Sequence, residues 1–144
     1  GGWPALSDAR GKIMFGLDNG GEIKASYIAG HSSLAGRVMF TDSDPGTPEA
    51  AFMKQNNPLA EPGKIEELVN MGYLVRTRAD ADTVQARTND TTQREAALAS
   101  GAHFISTDYP VPNLEFSDYQ VSIPGGGIAR CNPVNGGDCT SDDL

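Results

Sequence analysis

No apolar run in the chain approaches the length of a membrane span, and no signal-peptide pattern is present. Positive charge is scarce as well: 11 Lys and Arg stand against 19 Asp and Glu, for a net charge of −8. That balance argues against nucleic acid as a partner and against unspecific attraction to an anionic membrane surface. Histidine is limited to His31 and His103, and cysteine to Cys131 and Cys139. Two cysteines with no histidine nearby are too few for a zinc site. An initiator Met is also lacking. The chain opens on Gly1-Gly2-Trp3-Pro4, which leads us to expect a processed or truncated product.

What is present suits one globular unit: 144 residues, 38% hydrophobic and 21% charged. Cys131 and Cys139 bracket a Gly/Pro/Asn-rich stretch, so the expectation is a local disulfide closing a loop-like tail. Such a bridge implies an oxidising compartment and hence a secreted, extracellular protein.

Along the chain, helical and strand patterns alternate. Pro4 to Arg10 reads as a short helix closed by Gly11. Lys12 to Leu17 is a nearly continuous apolar run, as expected of a parallel strand buried on both faces. Asp18-Asn19-Gly20-Gly21 is a turn signal, and Glu22 to Ala29 reads as a helix. Val38 to Thr41 is the second strand. Thr47 is then placed to cap a helix with Pro48 at its first position. Ile65 to Met71 is a short amphipathic helix closed by Gly72, and it feeds the third strand, from Tyr73. Asp80 to Asp90 reads as a polar loop. Thr92-Gln93-Arg94-Glu95 is a capping box that opens an Ala-rich helix ending at Gly101. Phe104 to Thr107 is the fourth strand, and the tail holds one or two more, Tyr119 to Ile123 and Gly127 to Cys131. This repeating βα grammar predicts an α/β fold with a parallel sheet.

The stretch Leu74-Val75-Arg76-Thr77-Arg78-Ala79-Asp80 carries the chemistry. Side chains alternate along a strand, so Leu74, Arg76 and Arg78 share one face while Val75 and Thr77 share the other. Two arginines on one face need something anionic opposite them. A protein carboxylate network and a phosphorylated ligand both suit the guanidinium fork. Every predicted strand also ends in polar groups: Asp18, Thr41 with Asp42, Arg78 with Asp80, and Asp108. In parallel α/β folds ligands bind at that rim. Both histidines precede strands instead, and so fall on the opposite face, where a structural role is expected.

The motifs Gly11-Lys12-Ile13-Met14-Phe15, Gly36-Arg37-Val38-Met39-Phe40-Thr41, Leu74 to Asp80 and Ser106-Thr107-Asp108-Tyr109-Pro110 stand in order along the chain. Together with the tail Ile128 to Asn135, they resemble the calcium-dependent phosphoinositide phospholipase C-like family of secreted microbial proteins. Gly101 to Pro110 also resembles the glycerophosphodiester phosphodiesterases of the same barrel superfamily. The resemblance implies a TIM-type (β/α)8 barrel that cleaves a phosphodiester with two histidines, an arginine and Ca2+. A full barrel needs about 250 residues, so the chain is expected to be its C-terminal half, strands five to eight plus the tail. The histidine pair and most Ca2+ ligands would then belong to the absent N-terminal half. The implied partner is that half or a self-complementing dimer, and the implied ligand a phosphoinositide headgroup.

Carried over position by position, Arg76 matches the catalytic arginine that contacts the phosphate or the inositol. Arg78 stands where animal relatives have an inositol-stacking tyrosine, and this departure favours a more anionic substrate. Tyr109 either stacks on a ring or covers the rim, and Thr41 is expected to touch substrate. Asp18 is a Ca2+ ligand or a partner of Arg76. Asp80 and Asp108 are expected to orient the guanidiniums. Two functions follow: the anion-binding part of a phosphoric diester hydrolase, or a non-catalytic half-domain that binds a phosphorylated or acidic ligand or only stabilises a partner half. The chain alone is expected to be inactive.

Overall fold

A computed structural model describes residues 2–144. The first helix, α1 (Leu6–Ala9), is a single turn, and Gly11 behind it takes φ +73°. Strand β1 (Phe15–Leu17) leads into α2 (Gly21–Ile28), and β2 (Met39–Thr41) follows. The next element is β3 (Phe52–Lys54), a strand where the sequence pattern indicated a helix beginning at Thr47. Thr47 to Ala50 instead forms a turn, in which the Thr47 hydroxyl donates to the Asp44 carbonyl (3.0 Å). The chain must extend by Ala51 because its carbonyl accepts the Leu74 N–H (2.9 Å). Among the described residues the parallel strands therefore number five, not four, and β3 lies between the second and third expected ones.

Helix α3 (Lys64–Asn70) buries Ile65, Leu68 and Val69, the i, i+3, i+4 stripe of a helix with one apolar side. It stops at Gly72, whose φ of +89° needs no Cβ penalty to be overcome. There the N–H groups of Gly72 and Tyr73 reach back to the Val69 and Leu68 carbonyls (3.0 and 3.1 Å). Strand β4 (Leu74–Arg78) is central. The stretch read as a polar loop contains a short helix, α4 (Val84–Thr88). Helix α5 (Thr92–Ala99) starts one residue earlier than the capping box predicted: Thr91 is its N-cap, and the Thr91 hydroxyl bonds the Glu95 carboxylate (2.7 Å). Strand β5 (Phe104–Ser106) completes the sheet.

Strands pair in chain order, β1 with β2, β3 with β4 and β4 with β5, all parallel, and an Asp42–Phe52 bridge joins the two groups. The sheet is open, with β1 and β5 at its edges, and these strands do not close into a barrel. The register pairs Lys54 with Arg76, Arg76 with Phe104, and Arg78 with Ser106. Residues in register point to the same side, so one face carries Phe52, Lys54, Leu74, Arg76, Arg78, Phe104 and Ser106. The other carries Met53, Val75, Thr77 and Ile105, and this is the face that packs. Met53, Val75, Ile65, Leu68 and Val69 form the buried core, with Ala50, Tyr73, Ala102 and Val134 against it.

Two expectations fail at the ends of the chain. The first strand is not buried on both faces: Ile13 and Phe15 are 79% and 55% exposed, because β1 is an edge with no element beyond it. The tail forms no strand among the described residues; 119–123 meets the β5 end through one backbone bond, Val121 N–H to the Tyr109 carbonyl (2.9 Å), and through the Tyr119 ring against Tyr109. The Cys131–Cys139 disulfide is present, with Cα atoms 5.7 Å apart.

Candidate functional site

Strand β4 delivers its alternation as the sequence required. Val75 and Thr77 are fully buried, whereas Arg76 and Arg78 are only partly covered on the opposite face. Arg76 Nη1 donates to the Asn56 side-chain oxygen (2.5 Å). Burial, and then the charge of Arg78, press Arg76 below its ordinary pKa, and Asp18 offsets this only in part. Among the described residues no carboxylate lies within 4.0 Å of Arg76 or Arg78. The Arg78 guanidinium has no hydrogen-bond partner among them either; only its carbonyl is used, by Gln93 Nε2 (3.2 Å).

The carboxylates at this rim are engaged elsewhere. Lys54, at the end of β3 and beside Arg76 in register, donates to the Asp18 carboxylate and to the Asp18 carbonyl (3.1 Å). Its ammonium also lies 3.6 Å from Asp42, whose other oxygen accepts the Lys54 N–H (2.8 Å). The Lys54 hydrogen bond, then its charge, hold Asp18 below the usual carboxylate range. Asp18 thus pairs with Lys54 and not with Arg76. Asp80 does not orient a guanidinium: it is buried and bonded to Thr107, the Asp108 N–H and Tyr119. Asp108 presents an exposed side chain beyond β5 that makes no hydrogen bond to the described residues, so it holds no guanidinium either. Tyr109 rests edge-on against Tyr119, ring centroids 5.8 Å apart. Thr41 is fully buried and hydrogen-bonded to Ser43 (2.9 Å), so its hydroxyl is not offered to a ligand.

His103 immediately precedes β5, while His31 caps a short turn, Ser32–Leu34, well ahead of β2. The His31 Nδ1–H donates to the Ala35 carbonyl (2.8 Å), closing a local turn. His103 Nδ1 accepts the Val75 N–H (3.2 Å), which requires that nitrogen unprotonated, and burial lowers its pKa in the same sense. Neither ring reaches the arginine rim.

A family model described as phosphoinositide phospholipase C, Ca2+-dependent, matches residues 1–133. The chain belongs to this family. Comparison with curated proteins and with solved structures gives no match. Membership supports a phospholipase C-like role at the level of the family, whose name makes it Ca2+-dependent. The residues here do not assemble a Ca2+ site. No group of three or more His, Cys, Asp or Glu is placed to hold a metal among the described residues. Ca2+ takes six to eight oxygen ligands, while Asp18 and Asp42 already share one ammonium.

Sequence reasoning missed Lys54, Asn56, Thr107 and Tyr119. Lys54 and Asn56 went unseen because β3 did. The apolar run Ala50-Ala51-Phe52-Met53 ahead of polar Lys54-Gln55-Asn56 was the available signal.

Proposed function

We propose that the chain is the phosphate- and headgroup-binding part of a phosphoric diester hydrolase of the phosphoinositide phospholipase C type. One observation carries this reading: Arg76 and Arg78 project from one face at the carboxyl end of β4 with no carboxylate within 4.0 Å of either among the described residues, Asp18 offsetting their charge only in part. The carboxylate network weighed as the alternative is not formed among the described residues, which leaves an anionic ligand as the partner that guanidinium forks select. In this reading Arg76 stabilises the phosphate, Arg78 and Tyr109 contact the headgroup, and Lys54 adds positive potential beside them. The five strands would be the C-terminal part of a (β/α)8 barrel, completed by an N-terminal half or by a second copy. That complement would bring the acid–base histidines and most Ca2+ ligands. The disulfide is compatible with an extracellular setting.

The absence of a rim histidine favours a second reading for the chain by itself, anion binding without turnover, since general acid–base work needs a group with a pKa near the working pH. Hydrolysis of phosphatidylinositol by the completed barrel, with Ca2+ titrated in, tests the first. Arg76→Ala should lower the rate by about 10²-fold or more, the usual effect of deleting a charge-stabilising donor. Arg76→Lys should recover little, because an ammonium lacks the bidentate fork. Arg78→Ala should act mainly on KM. Unchanged hydrolysis by Arg76→Ala would remove the basis of the assignment.

A further inference from the structure

A buried carboxylate ties the ends of β4 and β5 together. Asp80 lies two residues past Arg78, is 2% exposed, and has no cation within 4.0 Å among the described residues. Burying an ionised carboxylate is costly unless donors surround it. Here three do. Oδ2 accepts the Thr107 hydroxyl (2.5 Å) and the Tyr119 hydroxyl (3.2 Å), while Oδ1 accepts the Asp108 N–H (2.8 Å). The Thr107 oxygen in turn accepts the Tyr109 N–H (2.9 Å), so three consecutive residues hang from one side chain. Tyr119 also donates to the Ala79 carbonyl (3.2 Å) and offers its ring to the edge of Tyr109. The strand register places Ser106 beside Arg78, and the tied loop begins at the next residue.

We propose that Asp80 is a positioning residue. It fixes the backbone of Thr107 to Tyr109 so that the Asp108 carboxylate and the Tyr109 ring stand at the Arg78 rim, where they meet the hydroxyl-bearing ring of a phosphorylated substrate. This rests on the phosphate reading of Arg76 and Arg78. It divides the site into a phosphate part that Asp80 does not influence and a polyol part that it does. A side chain needed only for folding would show no such division.

Calorimetric titration of the full chain with inorganic phosphate and with myo-inositol 1-phosphate tests the division, with melting curves confirming that each variant is folded at the assay temperature. Asp80→Asn puts an amide N–H2 where two hydroxyls donate, and Thr107→Val deletes the hydroxyl that relays to Tyr109. Both should weaken inositol phosphate about tenfold or more, the scale expected when contacting groups lose their placement. Inorganic phosphate should stay within about twofold, because it needs only the guanidinium forks. Thr107→Ser, which keeps the hydroxyl, should behave as wild type, and the Thr107 pair decides the matter even if Asp80→Asn fails to fold. Equal loss of both probes, or loss of neither, overturns the positioning role while leaving the phosphate reading intact. A wild-type chain that binds neither probe overturns the phosphate reading, and this proposal with it.

Discussion

Gly101 separates α5 from β5 and is buried, with φ at +81°. A Cβ added there would overlap Val134 Cγ2, come within 2.8 Å of Val134 Cβ and meet Asn132 Oδ1 at 3.3 Å. Val134 has little room to retreat. It packs against the Met53–Val75 core, and its N–H is held by Asn132 Oδ1 (2.9 Å), while Asn132 Nδ2 donates to the Gly101 carbonyl (2.6 Å). Gly101→Ala therefore carries two costs. The left-handed backbone adds about 1–2 kcal/mol for a residue with a Cβ, and overpacking adds about 1–3 kcal/mol. Gly72→Ala is the matched control, since Gly72 has φ +89° and nothing within 4 Å of an added Cβ. It should show the backbone cost alone. Urea unfolding, with the midpoint read at constant m, should place Gly101→Ala about 1–3 kcal/mol below Gly72→Ala. Adding Val134→Ala to Gly101→Ala should cost less than Val134→Ala alone, because the Cγ2 overlap is gone and only the 2.8 Å approach to Cβ remains. Equal losses at the two glycines would refute the claim that the disulfide-closed tail is docked on the core.

The tail itself is testable by replacing both cysteines with serine, which should lower stability by about 2–3 kcal/mol on loop-entropy grounds; two thiols alkylated without prior reduction would show that the bridge is not formed. Because β1 and β5 leave unpaired edges, sedimentation should find the chain paired with a complement or with itself, and a well-dispersed monomer would contradict this. Tyr119 titrates above its ordinary value, through burial first and the Asp80 charge second. Its protonated form is thus favoured in the folded state, so stability holds below pH of about 10, the unfolded value, and falls above it as only the unfolded chain ionises. Tyr119→Phe should flatten that alkaline fall; an unchanged slope would show that Tyr119 does not drive it.

The elements most legible in the sequence were those whose apolar pattern and punctuation agreed. Ile65, Leu68 and Val69 mark α3 by their spacing, and Gly72 ends it where a left-handed residue is required. The Leu74–Arg78 alternation gave both faces of β4 correctly, because one face is buried and a shift of one residue would expose Val75 and Thr77. Local signals misled where tertiary pairing outweighed them. Thr47-Pro48-Glu49 has helix-start chemistry, yet pairing with β4 pulls the following residues into β3. Val121 and Ile123 have strand propensity, but 119–123 makes one backbone bond toward the sheet, to Tyr109 past the end of β5, and propensity without a ladder makes no sheet. At the site, the partnerships were not legible. Asp18, expected as a Ca2+ ligand or a partner of Arg76, is taken by Lys54, and Asp80, expected to orient the guanidiniums, by hydroxyls and a backbone N–H. Sequence separation cannot rank such partners, since Asp80 reaches Thr107 27 residues away.

The two faces of β4 answer to different pressures. Val75 and Thr77 face inward to the helices and are fully buried, so they are constrained by packing volume and by one hydrogen bond, Thr77 to the Gln55 carbonyl (2.6 Å). Arg76 and Arg78 face away from the core with Lys54 in register beside them, three like charges on adjoining strands. Lys54 is ion-paired with Asp18 and Asp42, whereas neither arginine has a carboxylate within 4.0 Å among the described residues. Like charges held close oppose folding, and at Arg76 that opposition is met by one bond to Asn56 and only in part by the charge of Asp18. That residual positive charge is the reason we propose an anion as the ligand: a bound anion would relieve the repulsion between Arg76 and Arg78.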